Sequence, residues 1–212
     1  MIGALRSDDD GKTFHDLGIV ISAAGDPDCS TPNRYFAGGN GDFSAIADQK
    51  GEYIYFFYSN YSGDRESQGI ATARIRIEDL DFPTGNVFKY FEGEWQEPGL
   101  GGRETPVFAV SGNWHSESPD AFWGPGVHYN HYLGKYVMVM NHTCCTPDWP
   151  PAGIFISYSE DLSQPEAWKQ PKLLLEGGGW YPMVMGLGRV ETDKLAGRST
   201  RFFYGVGQRL DD

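Results

Sequence analysis

An internal repeat constrains this chain more than any other feature. One aromatic, β-branched run opens at Gly51 (Gly51-Glu52-Tyr53-Ile54-Tyr55-Phe56-Phe57-Tyr58), and another opens at Gly134 (Gly134-Lys135-Tyr136-Val137-Met138-Val139-Met140). Gly69-Ile70 begins a segment that closes on Glu78-Asp79-Leu80, and Gly153-Ile154 begins one that closes on Glu160-Asp161-Leu162. These matched points, 51 with 134, 69 with 153 and 78 with 160, lie 83, 84 and 82 residues apart. Three agreements in one order at nearly one offset define a repeat. Arg201-Phe202-Phe203-Tyr204-Gly205 looks like the start of a further copy. The runs are near-continuously apolar, as in strands buried on both faces. Each unit reads as strand, strand, strand, turn, strand, the pattern of a β-propeller blade. Strands are expected near 43–47, 52–59, 69–77, 134–140, 153–158 and 201–205, within a single domain over 1–212 with intact blades near 40–95 and 120–176.

Composition agrees. Of 212 residues, 28 are Gly and 13 Pro, and 15% are aromatic, which suits short strands and tight turns. The net charge of −12 repels phosphate backbones and argues against a nucleic-acid partner. No apolar run approaches the roughly 18 residues of a membrane span. Met1-Ile2-Gly3-Ala4-Leu5 runs straight into charge, with no signal peptide. A secreted or periplasmic location is expected only if the natural amino terminus lies upstream. Three cysteines, Cys29, Cys144 and Cys145, make no disulfide framework, and without a Cys-x-x-Cys pair no structural zinc site is expected. They read as free or partly paired thiols. Asn60-Tyr61-Ser62 and Asn141-His142-Thr143 fit the glycosylation tripeptide, which also arises by chance.

Ser7-Asp8-Asp9-Asp10-Gly11-Lys12-Thr13-Phe14 fits Ser-x-Asp-x-Gly-x-Thr-Phe and resembles the Asp-box of sialidases and related propellers. The resemblance implies a turn between the third and fourth strands of a blade. Short polar side chains bond back to the backbone there and Gly takes φ > 0. Asp8, Asp9 and Asp10 are then structural. Nothing continues to the distal Glu of a calcium loop. On this register the chain opens in mid-blade, holds two whole blades and parts of two more, and reads as an incomplete set. Open blade edges would favour self-association.

Trp123-Gly124-Pro125-Gly126-Val127-His128-Tyr129, followed by Gly134-Lys135-Tyr136, resembles the Trp-Ala-Pro-Asp-Val-His-Tyr…Gly-Lys-Tyr signature of glycoside hydrolase family 43, whose fold is a five-bladed propeller. Gly41-Asp42-Phe43-Ser44 is similar to that family's Asp-Pro-Ser motif. The resemblance spans roughly residues 40 to 205 and implies a carbohydrate partner, no cofactor, and a general base at Asp42. The family's second Asp falls on Gly126, and its acid motif Glu-Gly-Pro falls on Trp180-Tyr181-Pro182. Glu117, Asp120 and Glu176 are the nearby acid candidates. Glycosidic cleavage needs one carboxyl ionised and one protonated. Asp42 also reads as a turn residue, Glu117, Asp120 and Glu176 as solvated loop residues.

His115, His128 and His131 cluster around one inner strand, and His128 is the candidate for facing the axis, where a structural metal ion is also allowed for. Trp114, Trp123 and Trp180 flank inner-strand starts and suit either a sugar wall or core packing. Asp42, Asp120, Trp123 and His128 are expected to converge on one pocket, with Glu117 joining from its loop. The leading expectation is a glycosidase acting on an oligo- or polysaccharide. The alternative is a non-catalytic carbohydrate-binding or structural propeller. A sialidase is a third reading, for which Arg6, Arg34, Arg65 and Arg103 are too scattered to suggest an arginine triad.

Overall fold

The computed structural model describes residues 1–27, 30–32, 38–147 and 150–205, and they are all-β apart from three single-turn 3-10 helices. β1 (Ile2–Arg6) and β2 (His15–Ile21) form an antiparallel hairpin. β3 (Asn40–Ala47), β4 (Tyr53–Asn60), β5 (Gly69–Arg76), β6 (Phe88–Phe91) and β7 (Glu94–Pro98) follow as an antiparallel meander in chain order, with β8 (Phe108–Ala109) paired to the start of β5. β9 (Asp120–Asn130), β10 (Lys135–Cys144), β11 (Pro151–Ser159) and β12 (Lys172–Glu176) form a second meander. β13 (Trp180–Gly186) and β15 (Thr200–Gly205) pair antiparallel, while β14 (Leu195–Ala196) lies parallel to the end of β9. All six expected strands are present; most differ from expectation by one to three residues at an end, and β10 extends to Cys144.

Period-two alternation in the central strands builds the layers. On β4, Tyr55 and Phe57 face a core shared with Val127 of β9 and Tyr136, Met138 and Met140 of β10. Ile54, Phe56 and Tyr58 face the other way, onto Ile2 of β1 and Val20 and Ile21 of β2. β5 divides likewise, with Ile70 on one side and Ala71, Ala73 and Ile75 on the other. The β3–β7 sheet is therefore the middle layer, apolar on both faces. Its strands read as continuous hydrophobic runs for that reason.

Local polar chemistry sets the first hairpin. Asp9 Oδ1 accepts the backbone N–H groups of Lys12 (3.0 Å) and Thr13 (2.8 Å), and Ser7 Oγ accepts that of Gly11 (2.8 Å). Gly11 takes φ 82°, as such a turn requires. These bonds hold the Asp9 carboxyl below the usual carboxylate range, the backbone N–H of Thr13 first among them. Asp9 is thereby committed to the turn.

Candidate functional site

β3, β9 and β13 carry the same irregularity at the same place. Pairing slips between Gly41 and Ser44 in β3, between Trp123 and Gly126 in β9, and between Trp180 and Met183 in β13. In each bulge one residue adopts a left-handed backbone: Asp42 (φ 46°), Gly124 (φ 61°) and Tyr181 (φ 55°). Non-glycine residues rarely take this conformation, and where they do the cost concentrates at functional sites.

A side chain on the preceding sheet braces two of these bulges. Ser59, opposite Gly41 on β4, accepts the N–H of Gly124 through Oγ (3.0 Å). Asn141, opposite Trp123 on β10, accepts the N–H of Tyr181 through Oδ1 (2.8 Å) and donates to the Gly179 carbonyl (2.8 Å). Ser59 and Asn141 thus occupy equivalent places in the repeat. Ser44 Oγ adds a third tie by accepting the N–H of Val127 (3.1 Å).

The three bulges meet around a cleft of about 430 Å³, whose polar lining includes Asp42, His128, Tyr181, Asp193 and Lys194. Asp42 is half-buried, with a phenol on each carboxylate oxygen. Tyr61 donates to Oδ2, and Tyr181 donates to Oδ1 at 3.1 Å. Burial, and then the Asp42 charge, push the Tyr61 phenol well above its ordinary range and raise that of Tyr181. Both are therefore neutral donors at physiological pH. His128 is 3% exposed; burial, and then the Lys194 ammonium, lower its pKa to about 4. It faces the cleft as a neutral imidazole. Lys194 donates to Ser44 Oγ (3.0 Å) and pairs with Asp193 (3.3 Å).

Of the expected constellation, Asp42 and His128 line this cleft. Asp120 does not: it lies at the outer end of β9, where His142 Nε2 bonds its Oδ1 at 2.9 Å. Glu117 is exposed on the preceding loop and does not line the cleft, and Glu176 is exposed at the end of β12. Trp114 is fully buried against Tyr61, so it belongs to the core and is no sugar wall. Trp123 is buried behind the cleft, edge-on to Tyr181 (5.5 Å) and Trp180 (6.3 Å). Trp180 is 44% exposed and does not line the cleft. His115 and His131 have partners elsewhere, the Tyr61 carbonyl and Glu191. Asn60 and Asn141 are buried, so neither glycosylation tripeptide presents its amide to solvent. Cys144 and Cys145 form a disulfide. Cys29 and Arg34 lie outside the described residues, and Arg6, Arg65 and Arg103 do not line the cleft.

Gly126 has a steric reason to be glycine. A Cβ there would stand 2.5 Å from the Pro182 carbonyl oxygen on β13. An aspartate at this position cannot coexist with the present path of β13. The second carboxyl at the cleft is instead Asp193, in the β13–β14 loop, which the sequence pattern did not single out. Tyr61, Tyr181 and Lys194 were likewise missed. A Tyr before Pro at the start of β13 was the one available signal for Tyr181.

No family model matches the chain, and no match to it was found among curated proteins. Among the described residues, no helix is long and apolar enough to cross a membrane.

Proposed function

We propose that this chain is a carbohydrate-acting protein of the propeller glycosidase type, its sheets serving as successive blades and its sugar site being the cleft at Asp42. The carrying observation is the Asp42 carboxylate, held on a left-handed backbone by two phenols at the meeting point of three inner strands. The repeated bulge and the Ser7–Thr13 turn support the architectural part of this reading. A cleft of about 430 Å³ with mixed donors and acceptors suits a sugar ring. Asp42 would take a proton from the attacking water, with Tyr61 and Tyr181 fixing the direction of its lone pairs.

A second reading has its own support. Asp193, the one carboxyl besides Asp42 in the cleft lining, is engaged by the Lys194 ammonium at 3.3 Å. A cleft whose two carboxyl groups are both engaged, Asp42 by phenols and Asp193 by an ammonium, suits binding without cleavage. Asp42→Asn separates the readings, because Asn tolerates the left-handed backbone. Against a panel of oligosaccharides, the hydrolase reading expects turnover to fall by about 100-fold or more with an unchanged melt. Retained turnover, with about 0.5–2 kcal/mol of lost stability, would make Asp42 only a turn residue. Affinity without turnover in the unmodified protein would leave the binding module.

A further inference from the structure

Asp120 belongs to a second cluster, at the outer end of the β9–β10 ribbon. It stands directly across from Cys144 in the strand register, and His142 lies two residues before Cys144 on the same face of β10. A carboxylate oxygen of Asp120 and the sulfurs of Cys144 and Cys145 all lie within 4.8 Å of one another. His142 Nε2 is 2.9 Å from Asp120 Oδ1. The side chains are 18% (His142) and 32% (Asp120) exposed, sheltered but within reach of solvent. Phe122 and Phe155 pack on the imidazole at 4.7 and 5.2 Å and hold its ring in place.

We propose that, with its disulfide reduced, this cluster binds a thiophilic divalent cation of the zinc class, the oxidised pair being the closed state of the site. The two sulfurs and the Asp120 carboxylate are the three donors already gathered, and His142 Nε2, 2.9 Å from Asp120 Oδ1, is the fourth that would swing in to complete a four-coordinate site. A dithiol supplies two electrons and two protons to the Cys144–Cys145 bond, giving two thiols and its own disulfide. The cation then displaces both thiol protons, and His142 binds as the neutral imidazole with its ring proton on Nδ1, leaving Nε2 to the metal. With metal–ligand bonds of about 2.0–2.1 Å, tetrahedral geometry asks the Asp120–His142 pair to open by about 0.4 Å. The proposal is independent of what the Asp42 cleft binds.

The test is a cobalt(II) titration of the full chain, reduced with dithiothreitol and desalted under argon. One equivalent should bind, with a thiolate-to-cobalt charge-transfer band, and zinc should displace it. Protein that was never reduced should give no band. Asp120→Asn and His142→Gln should each weaken binding by about 10–100-fold, as loss of a ligand or its support does. Each variant is read only where its melting curve matches the parent, so either suffices if the other fails to fold. Absence of the band in reduced protein would overturn the proposal. So would equal affinity in both variants, which would leave the two thiols alone responsible.

Discussion

His128 and Lys89 show how this molecule handles buried charge. His128 is kept neutral by burial and by Lys194, with a pKa of about 4 against an ordinary 6.5. Between those values the unfolded chain takes up a proton that the folded chain refuses, so stability is lost as pH falls from about 6.5 to 4. The loss at the acid end is on the order of 3 kcal/mol. Urea melts at pH 7.5 and pH 4.5 should show His128→Gln losing less over this range than the parent, and an equal loss would discount the buried imidazole. Lys89 solves the opposite problem. Fully buried, its ammonium donates to the Ser22 and Gly102 carbonyls (2.9 and 3.0 Å) and to Glu104 (3.0 Å), whose other oxygen accepts from Tyr58 (2.5 Å). Lys89→Met leaves Glu104 buried without its cation and should cost about 3–5 kcal/mol by denaturant titration. The double change Lys89→Met with Glu104→Gln should recover part of that loss, since it removes the stranded charge.

At the scale of the element, the bulged strands β3 and β13 explain how residues 139 positions apart come to share a hydrogen bond, as Asp42 and Tyr181 do. The bulges of β3 and β13 each turn one side chain, Asp42 and Tyr181, out of the pleat alternation and toward the cleft. The brace from the neighbouring sheet then fixes where the strand starts. Asn141 is the clearest brace, tying β10 to both Gly179 and Tyr181. Asn141→Ala should cost about 1–3 kcal/mol, because two backbone groups lose their partner. It should also weaken any ligand held by Tyr181, whereas Tyr181→Phe should affect the ligand with little loss of stability. Equal ligand affinity in Asn141→Ala and the parent, measured calorimetrically, would show that β13 holds its own position.

Across the whole molecule, apolar surface is unevenly distributed. The middle sheet is covered on both faces, but β12 exposes Leu173, Leu174 and Leu175 at 50%, 47% and 37%. β13 and β15 add Trp180, Met183, Phe203 and Tyr204, all more than a third exposed. Exposed apolar side chains on sheet strands favour association. Sedimentation of the 212-residue chain should show concentration-dependent self-association, and Leu173→Lys with Phe203→Lys should reduce it. A monodisperse monomer at high concentration would show that these side chains are adequately solvated where they stand.

The strands, their antiparallel order and the first turn were legible in the residues, because each is a local matter. Continuous apolar runs mark two-sided burial, the offset near 83 residues marks a repeated unit, and Ser7, Asp9, Gly11 and Thr13 close a turn on themselves. Asp42 and His128 could be placed at the cleft because they stand on the first strands, β3 and β9, of two successive sheets. Asp120, Glu117 and Trp114 could not be sorted by the same reasoning. Proximity in sequence to an inner strand says nothing about which end of it, or which side of a loop, a side chain occupies. Tertiary structure alone brought Tyr61, Tyr181 and Lys194 to the cleft, paired Asp120 with His142, and excluded a side chain at Gly126 by running β13 past it. Apart from the Asp120–His142 pair, which spans neighbouring strands of one sheet, those outcomes depend on how sheets pack against one another. Packing is set by the summed fit of many distant side chains, whereas periodicity is written within a few consecutive residues.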